Sequence, residues 1–216
     1  MILSGFGIKL IRLTENEIEL VRQKRNSPEI SRFMEYREEI TPAMQEKWFR
    51  SIDNEFNNYF LINFKGENLG LIYGSAIDWE KNETGNGGIF IWNTNFRETP
   101  VPLAASLLLT DTSFILGLEK TYIKVLKDNL PAIAFDLNLG YRILPGQEHV
   151  MNQQYVLEEE IYFKKTQRFR NSFEKMYGDT ITVTITNPDH PMSVRILERL
   201  SQISPERKKR IELILP

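Results

Sequence analysis

The chain has 216 residues, of which 41% are hydrophobic and 26% are charged, and its formal net charge at pH 7 is −2. This length and composition allow one large domain with a sizeable core, and they argue against disorder over most of the chain. Zero cysteines exclude disulfides, thiolate metal sites and a cysteine nucleophile, and the two histidines are widely separated, so we expect no metal site. The small net charge also predicts no nucleic-acid partner.

The sequence contains no apolar run long enough to cross a bilayer, so we expect no membrane partner. Its first residues, MILSGFGIKLIRL, lack the charged region and the small-residue cleavage site of a secretory signal. We therefore expect a cytoplasmic protein.

The first half of the chain predicts a strand, two helices and a three-stranded meander. Alternation over residues 8–13 predicts the strand, and Thr14 with Glu17 forms a capping-box pattern for the helix that follows. That helix breaks near Pro28, and a second helix is entered at Pro42, a residue that the first turn of a helix tolerates. The meander is expected in three extended segments, at 59–64, 69–79 and 88–92.

The next part of the chain predicts a helix, a strand and a second helix. The apolar content of residues 102–116 predicts a helix with both faces covered, and residues 122–126 predict a short strand. Apolar residues at helical spacing then follow Asn129, and Gly140 occupies the position of a left-handed C-cap. Two further strands are expected, at 143–151 and 155–164.

The residue order N-x-x-A-I-x-x-x-x-x-L-G-[FY] resembles the end of the acetyl-CoA-binding core in the GNAT superfamily of N-acetyltransferases. The matching residues are Asn129, Ala132, Ile133, Leu139, Gly140 and Tyr141. The runs RNSPEISRFM and ITPAMQEKWF look most like the branch that acetylates ribosomal proteins and sugar amines. The resemblance ends near residue 165.

The resemblance implies an α/β (α+β) fold with a mixed, mostly antiparallel central sheet flanked by helices. Two neighbouring parallel strands in that sheet are expected to splay apart, so that the pantetheine arm of acetyl-CoA lies between them. Unpaired peptide groups along the splayed strands would then bond to the amides of the arm. Residues 1–165 would form this acetyl-CoA-binding domain.

Residues 166–216 lie outside the resemblance and predict a small β-α-β extension. Helices are expected at 166–176 and 192–203, and strands at 180–186 and 210–215. Because a two-stranded unit is marginal in water by itself, we expect the extension to pack on the core or on a partner subunit. A homodimer through the late strands or the extension is one expectation.

The resemblance also implies where acetyl-CoA, the co-substrate, would bind. The third meander strand and the helix after it would hold the donor, with its pyrophosphate at the helix N-terminus. The implied donor-binding residues are Phe90, Ile91, Trp92, Arg97, Thr99, Val101, Leu103, Ala104, Asn129, Ala132 and Phe135. The family's R-G-x-G-x-[AG] turn falls on residues 97–104, where Arg97 matches but Glu98 and Pro100 replace glycines. Either the donor binds through fewer contacts with this turn, or the site is a relict.

The implied catalytic residues depart from the family pattern as well. Many members carry a tyrosine in the last helix that protonates the departing thiolate, and its position here holds Asp136. An ionised aspartate cannot donate that proton, so Asp136 would serve only with a pKa raised by burial, or would contact the amine instead. Asp78 and Glu80 are candidates for the base. Candidates to line an acceptor pocket are Tyr36, Tyr73 and Trp79.

These features predict an N-acetyltransferase that moves acetyl directly from acetyl-CoA to a primary amine. The acceptor would be a small molecule or a peptide: a small metabolite, a sugar nucleotide or a protein terminus. The alternative is a protein of the same fold that has lost catalysis and acts as a binding or assembly module. Glu98, Pro100 and Asp136 favour the alternative.

Overall fold

A computed structural model describes residues 1–216 as one ten-stranded sheet with helices on both faces. The strands are β1 (Ile2–Gly5), β2 (Ile8–Arg12), β3 (Asn58–Phe64), β4 (Glu67–Asp78), β5 (Glu83–Ile91), β6 (Lys120–Leu126), β7 (Arg142–Ile143), β8 (Asn152–Glu158), β9 (Ile181–Thr184) and β10 (Ile211–Ile214). The helices are α1 (Ile18–Asn26), α2 (Pro28–Ser31), α3 (Pro42–Ile52), α4 (Pro100–Ile115), α5 (Leu130–Leu139), α6 (Glu159–Tyr177), α7 (Pro191–Gln202) and α8 (Pro205–Lys208).

The order of the strands across the sheet is β10-β9-β1-β2-β3-β4-β5-β6-β8-β7. Neighbours run antiparallel except for two pairs, β5 with β6 and β9 with β10. The predicted fold class, a mixed and mostly antiparallel sheet flanked by helices, is therefore confirmed.

The helix boundaries follow the local chemistry of the sequence. Thr14 and Glu17 form the predicted capping box, which starts one 3-10 turn that leads into α1. Thr41 caps α3 by accepting a hydrogen bond from the Met44 N–H. Gly140 ends α5 with a φ of 104°, the left-handed conformation predicted for it. Each of these residues satisfies backbone groups that a helix end leaves unpaired.

The sheet separates two apolar cores of unequal size. Helix α4 lies in the larger core and is buried along most of its length; Leu107, Leu108 and Phe114 have 0% exposure. The prediction that both faces of this helix are covered is confirmed. The smaller core lies on the opposite face, where Val21 of α1 and Phe49 of α3 pack near Leu61 and Leu71 of the sheet.

Two predictions about strands were wrong, and one strand was not predicted. The unpredicted strand is β1, at Ile2–Gly5. Within the strand predicted at 143–151, only Ile143 belongs to a strand, because Pro145 and Gly146 turn the chain. The strand predicted at 155–164 ends at Glu158, and α6 begins at the next residue, since Glu159 and Glu160 favour the positive end of a helix dipole.

The last part of the chain extends the sheet beyond β1. Strand β9 pairs antiparallel with β1, and β10 pairs parallel with β9 after the α7 crossover. The side chains of Ile181, Val183 and Met192 are buried in the larger core. The expected division between residues 165 and 166 falls within α6.

None of the helices in the structure has both the length and the apolar character that a membrane span requires.

Candidate active site

Strands β5 and β6 are neighbours in the sheet, but they pair only at their first residues. The ladder consists of Glu83 with Lys120 and Thr84 with Thr121. Beyond it, residues 86–91 pair with β4 alone, and Tyr122–Leu126 pair with β8 alone. The predicted gap between two central parallel strands is confirmed, and we refer to the space between residues 86–91 and 122–126 as the donor opening.

The donor opening exposes backbone groups of β5. The Trp92 N–H donates to the Leu69 carbonyl at 3.0 Å, so the alternation of an antiparallel ladder directs the peptide groups of Ile89 and Ile91 away from β4 and toward β6. The Ile91 carbonyl accepts a hydrogen bond from Arg97 Nε at 2.9 Å. The N–H and C=O of Ile89 face the opening, where no neighbouring strand pairs with them.

Asp136 lies on α5, which follows β6 directly, and its side chain is partly buried. Burial raises the pKa of this carboxyl group to about 7. Burial raises the pKa values of Tyr141 and Tyr155, and the ionised form of Asp136 raises them further, which places both phenols close to Asp136. A carboxyl group with a pKa raised in this way holds its proton at a higher pH than an exposed aspartate does, and in that form it can donate a proton.

A second group of polar residues lies on the sheet face that α1 and α3 cover. The ring of Tyr73 stacks on Tyr59 at 4.7 Å and lies across Gly88, where an added Cβ would be 2.9 Å from the Tyr73 hydroxyl. Asn86 lies two residues from Gly88 on the same face of β5, and its Oδ1 is buried without a hydrogen-bond partner. We call Tyr73, Asn86 and Gly88 the acceptor face.

Arg25 of α1 links two of the predicted acceptor residues. Its Nη2 donates to the Tyr36 carbonyl at 3.2 Å, and its guanidinium is close enough to Tyr73 to interact with it electrostatically. Burial lowers the pKa of Arg25 and raises that of Tyr73. The structure thus brings the backbone of Tyr36 and the side chain of Tyr73 to the same region, on the face of the sheet that α1 covers.

The segment from Trp92 to Val101, which we call loop 92–101, connects β5 to α4 and does not fit a pyrophosphate. Pro100 and Pro102 lie in the first turn of α4 and have no N–H to offer. The N–H of Val101 donates to the Oγ1 of Thr99, which caps the helix. Glu98 is exposed at the same place, and its carboxylate would repel a phosphate.

The remaining predicted donor-binding residues make contacts within the fold. Asn129 caps α5 by accepting from the Ala132 N–H at 3.4 Å. Phe90 and Trp92 pack against the smaller core. Packing in or against the larger core are Ile91, Val101, Leu103, Ala104, Ala132 and Phe135.

The structure does not bring Asp78, Trp79 and Glu80 together with Asp136. Asp78 pairs with Glu83, at the end where β5 and β6 are still joined. Its carboxylate accepts from the N–H groups of Glu80 and Lys81 and from Lys81 Nζ at 2.8 Å, which lowers the pKa of Asp78. Trp79 packs against the larger core, and its Nε1 donates to the Glu55 carbonyl at 2.8 Å.

Sequence reasoning missed Arg25 and Asn86. Asn86 stands among glycines in the run TGNGGIF, at the start of an apolar strand, and a lone polar residue in that position was the available signal. Arg25 is one of several basic residues in α1 and carries no comparable signal.

The fold matches solved structures of acetyltransferases at low sequence identity. A nucleotide-linked sugar GNAT named FdhC shares 18% identity and a TM-score of 0.64, over 78% of this chain and 96% of that chain. RimL, a ribosomal alpha-N-protein acetyltransferase in complex with coenzyme A, shares 14% identity and a TM-score of 0.63, over 73% of this chain and 98% of that chain. A spermidine N-acetyltransferase from Vibrio cholerae, in complex with CoA and spermine, shares 17% identity and a TM-score of 0.62, over 73% of this chain and 98% of that chain.

No protein-family model matches this sequence, and no curated protein is significantly similar to it. The structural matches are therefore what places the chain among known proteins. The chain has the fold of the GNAT acetyltransferases.

Proposed function

We propose that this protein transfers an acetyl group from acetyl-CoA directly to a primary amine. The observation that carries the proposal is the donor opening, together with a carboxyl group of raised pKa on α5, the helix that follows β6. The neighbours of the same fold, solved with CoA or described as acetyltransferases, support this chemistry.

In the proposed reaction, the donor's arm lies along β5 and its thioester is near the narrow end of the donor opening. The amine attacks the thioester carbonyl carbon, so that a C–N bond forms and the C–S bond breaks. Asp136 in its protonated form gives its proton to the departing thiolate sulfur. Holding the two reactants together supplies a large part of the rate enhancement.

The acceptor amine approaches from the acceptor face. Tyr73 forms one wall of this face, and the Oδ1 of Asn86, which is buried without a partner, would accept a hydrogen bond from the amine once the side chain turns toward the site. The amine must lose a proton before or during attack. Asp78 and Glu80, which lie at the joined end of β5 and β6, would take that proton only through a chain of water molecules.

The acceptor classes that fit this site are a small metabolite, a sugar nucleotide and a protein terminus. The neighbours are described as acting on or binding amines of these kinds: a nucleotide-linked sugar, a ribosomal protein and spermine. Arg25 is a cation beside the acceptor face and favours an acceptor that also carries an anionic group, as a sugar nucleotide does.

The second candidate function is a binding or assembly module that has lost catalysis. The state of loop 92–101 favours it, because that loop offers no anion site at α4. In this case the extension, residues 166–216, would be the interaction surface, and a homodimer would form through it or the late strands.

Thermal unfolding with and without acetyl-CoA tests the proposal first. A ligand at a hundred times its dissociation constant stabilises the folded state by about 2.7 kcal/mol, which is a readily measured shift in melting temperature. Release of free thiol with a panel of spermine, amino-sugar nucleotides and peptides then tests transfer. No shift together with no thiol release would favour the binding module, and sedimentation would show whether the protein is a dimer.

A further inference from the structure

We propose that this site recognises its acyl donor by the pantetheine arm and makes little use of the nucleotide pyrophosphate. The inference rests on the proposed function, since it concerns the donor of the same reaction. It predicts that a short pantetheine thioester serves about as well as acetyl-CoA.

The start of α4 lacks the backbone donors that an anion needs. The first turn of a helix normally leaves N–H groups unpaired, and these are the groups that hold phosphate. Here two of those positions are Pro100 and Pro102, which have no N–H. The third is Val101, whose N–H is bonded to Thr99 Oγ1 at 3.3 Å.

The N–H groups that precede α4 are also in use. Acceptors are present for six of them: Trp92 and Asn93 donate to Leu69 O, Asn95 to Asn93 Oδ1, Phe96 to Asn93 O, Arg97 to Thr94 O and Thr99 to Phe96 O. Of the non-proline residues from 92 to 101, that leaves Thr94 and Glu98, and Glu98 brings its own negative charge. A pyrophosphate would have to break hydrogen bonds that the protein already makes.

Arg97, the residue that matches the arginine of the family's phosphate-binding turn, is held by contacts within the protein. Arg97 donates through Nε to the Ile91 carbonyl at 2.9 Å, and its Nη2 is buried without a partner. Its guanidinium is therefore bonded to the end of β5, with Nη2 buried. A phosphate in solvent at the N-terminus of α4 would not reach that buried Nη2 without a rearrangement of loop 92–101.

The β5 backbone at the donor opening, in contrast, has peptide groups that no strand pairs with. The β5–β6 ladder stops after Thr84 and Thr121, and the Ile89 peptide groups face the donor opening. Contacts with the arm are therefore available, whereas contacts with the pyrophosphate are absent. The binding free energy of the donor should come mainly from the arm.

Calorimetric titration of the full chain with three ligands tests this inference. The ligands are acetyl-CoA, S-acetylpantetheine and adenosine 3′,5′-bisphosphate. We expect the two thioesters to bind within about threefold of each other, and the bisphosphate not to compete with either. Acetyl-CoA binding more than about thirtyfold tighter than S-acetylpantetheine, or competition by the bisphosphate, would overturn the inference.

Variants that restore donors provide the second arm of the test. Thr99→Ala frees the Val101 N–H, and Pro102→Ala returns an N–H to the first turn. Combined with Glu98→Gly, these changes should tighten acetyl-CoA binding about tenfold and leave S-acetylpantetheine binding unchanged. Pro191→Ala, at the start of α7, is the matched control and should change neither.

The outcomes separate this inference from the proposed function. If both thioesters bind and are used alike, both proposals stand. If acetyl-CoA is used and S-acetylpantetheine is not, acetyl transfer stands and the pantetheine inference is wrong. If neither thioester binds, the proposed function fails, and the inference fails with it.

Discussion

The guanidinium of Arg210 lies 2.8 Å from the carboxylate of Asp111, and this contact ties the residue before β10 to the middle of α4. Asp111 has 0% exposure and also accepts hydrogen bonds from the Tyr162 hydroxyl and from Arg170 Nε. Arg170 is 5% exposed, so the buried charges of Asp111 and Arg170 stabilise each other. The last third of the chain is thus joined to the larger core by a buried ion cluster as well as by apolar packing.

Asp111→Ala should destabilise the protein by about 3–5 kcal/mol, because it removes the closer of the two carboxylates that pair with the buried Arg170 and leaves only Glu174, at 3.5 Å. Denaturant unfolding monitored by fluorescence measures this change. Glu46→Ala is the matched control, since Glu46 and Arg50 form an exposed pair at 3.7 Å that should contribute less than about 1 kcal/mol. Equal effects from the two substitutions would contradict the prediction.

Asp136→Asn should change how the stability of the protein depends on pH. Burial raises the folded-state pKa of Asp136 from 3.8 to about 7, so ionising this group costs more in the folded state than in the unfolded state. The wild-type protein should therefore lose stability as the pH rises from about 4 to 7, and the Asn variant should lose about 2–4 kcal/mol less over that range. Thermal or denaturant unfolding at pH 4, 6 and 8 measures the difference.

The same substitution tests the catalytic role of Asp136. If its proton goes to the departing thiolate, kcat in the wild-type protein should fall above pH 7, and Asp136→Asn should lower kcat by about a hundredfold and remove that fall. Asp128→Asn, an exposed aspartate just before α5, is the control and should change neither profile. Full activity in the Asp136→Asn variant would rule out proton donation by this residue.

Asn86→Ala should weaken binding of the acceptor amine more than it destabilises the fold. The Oδ1 of Asn86 has no partner within the protein, and the contact that the substitution removes is the one between the Asn86 side chain and Tyr73. Loss of a hydrogen bond to a charged amine should raise the KM for the acceptor by about tenfold or more. Asn58→Ala is the control, because its Oδ1 is also buried and unpaired but belongs to β3, on the face that packs with α4. An equal rise in KM for both variants would contradict the assignment.

Gly140→Ala should destabilise the protein by about 1–2 kcal/mol through its backbone conformation alone, because φ is 104° at this residue. An added Cβ would also lie 3.2 Å from Ile161 Cγ2 and 3.3 Å from Leu157 Cδ1. Gly146→Ala separates the two effects, since Gly146 has a φ of 78° with nothing within 4 Å of the added Cβ. Denaturant unfolding should show the larger loss for Gly140.

The helices and the site region could be predicted from the sequence because their signals are local. The capping box at Thr14 and Glu17 and the C-cap at Gly140 lie within one turn of the helix ends that they mark. The donor opening was predicted from a resemblance carried by one helix and its flanking residues. The position of the opening, between β5 and β6, followed from that resemblance and not from the spacing of apolar residues in the two strands.

Other features could not be predicted because they depend on contacts between distant residues. The four residues of β1 show no clear alternation, and they form a strand because β2 and β9 lie on either side. The apolar residues after Glu158 suggested a strand, yet Tyr162 and Phe173 pack as one face of α6. The pKa of Asp136 depends on burial by elements that no local pattern specifies.

The place of β1 in the sheet has a consequence for how the chain acquires its structure during synthesis. Leu3 can pair with Leu10 early in synthesis, because the two residues are close in the sequence. Its other partner is Val183, which leaves the ribosome only after most of the protein has been made. Until then one edge of β1 has no neighbour, and contacts of such long sequence separation form slowly. Nascent chains should therefore depend on chaperones or rapid translation of the last residues to avoid pairing that edge with another molecule.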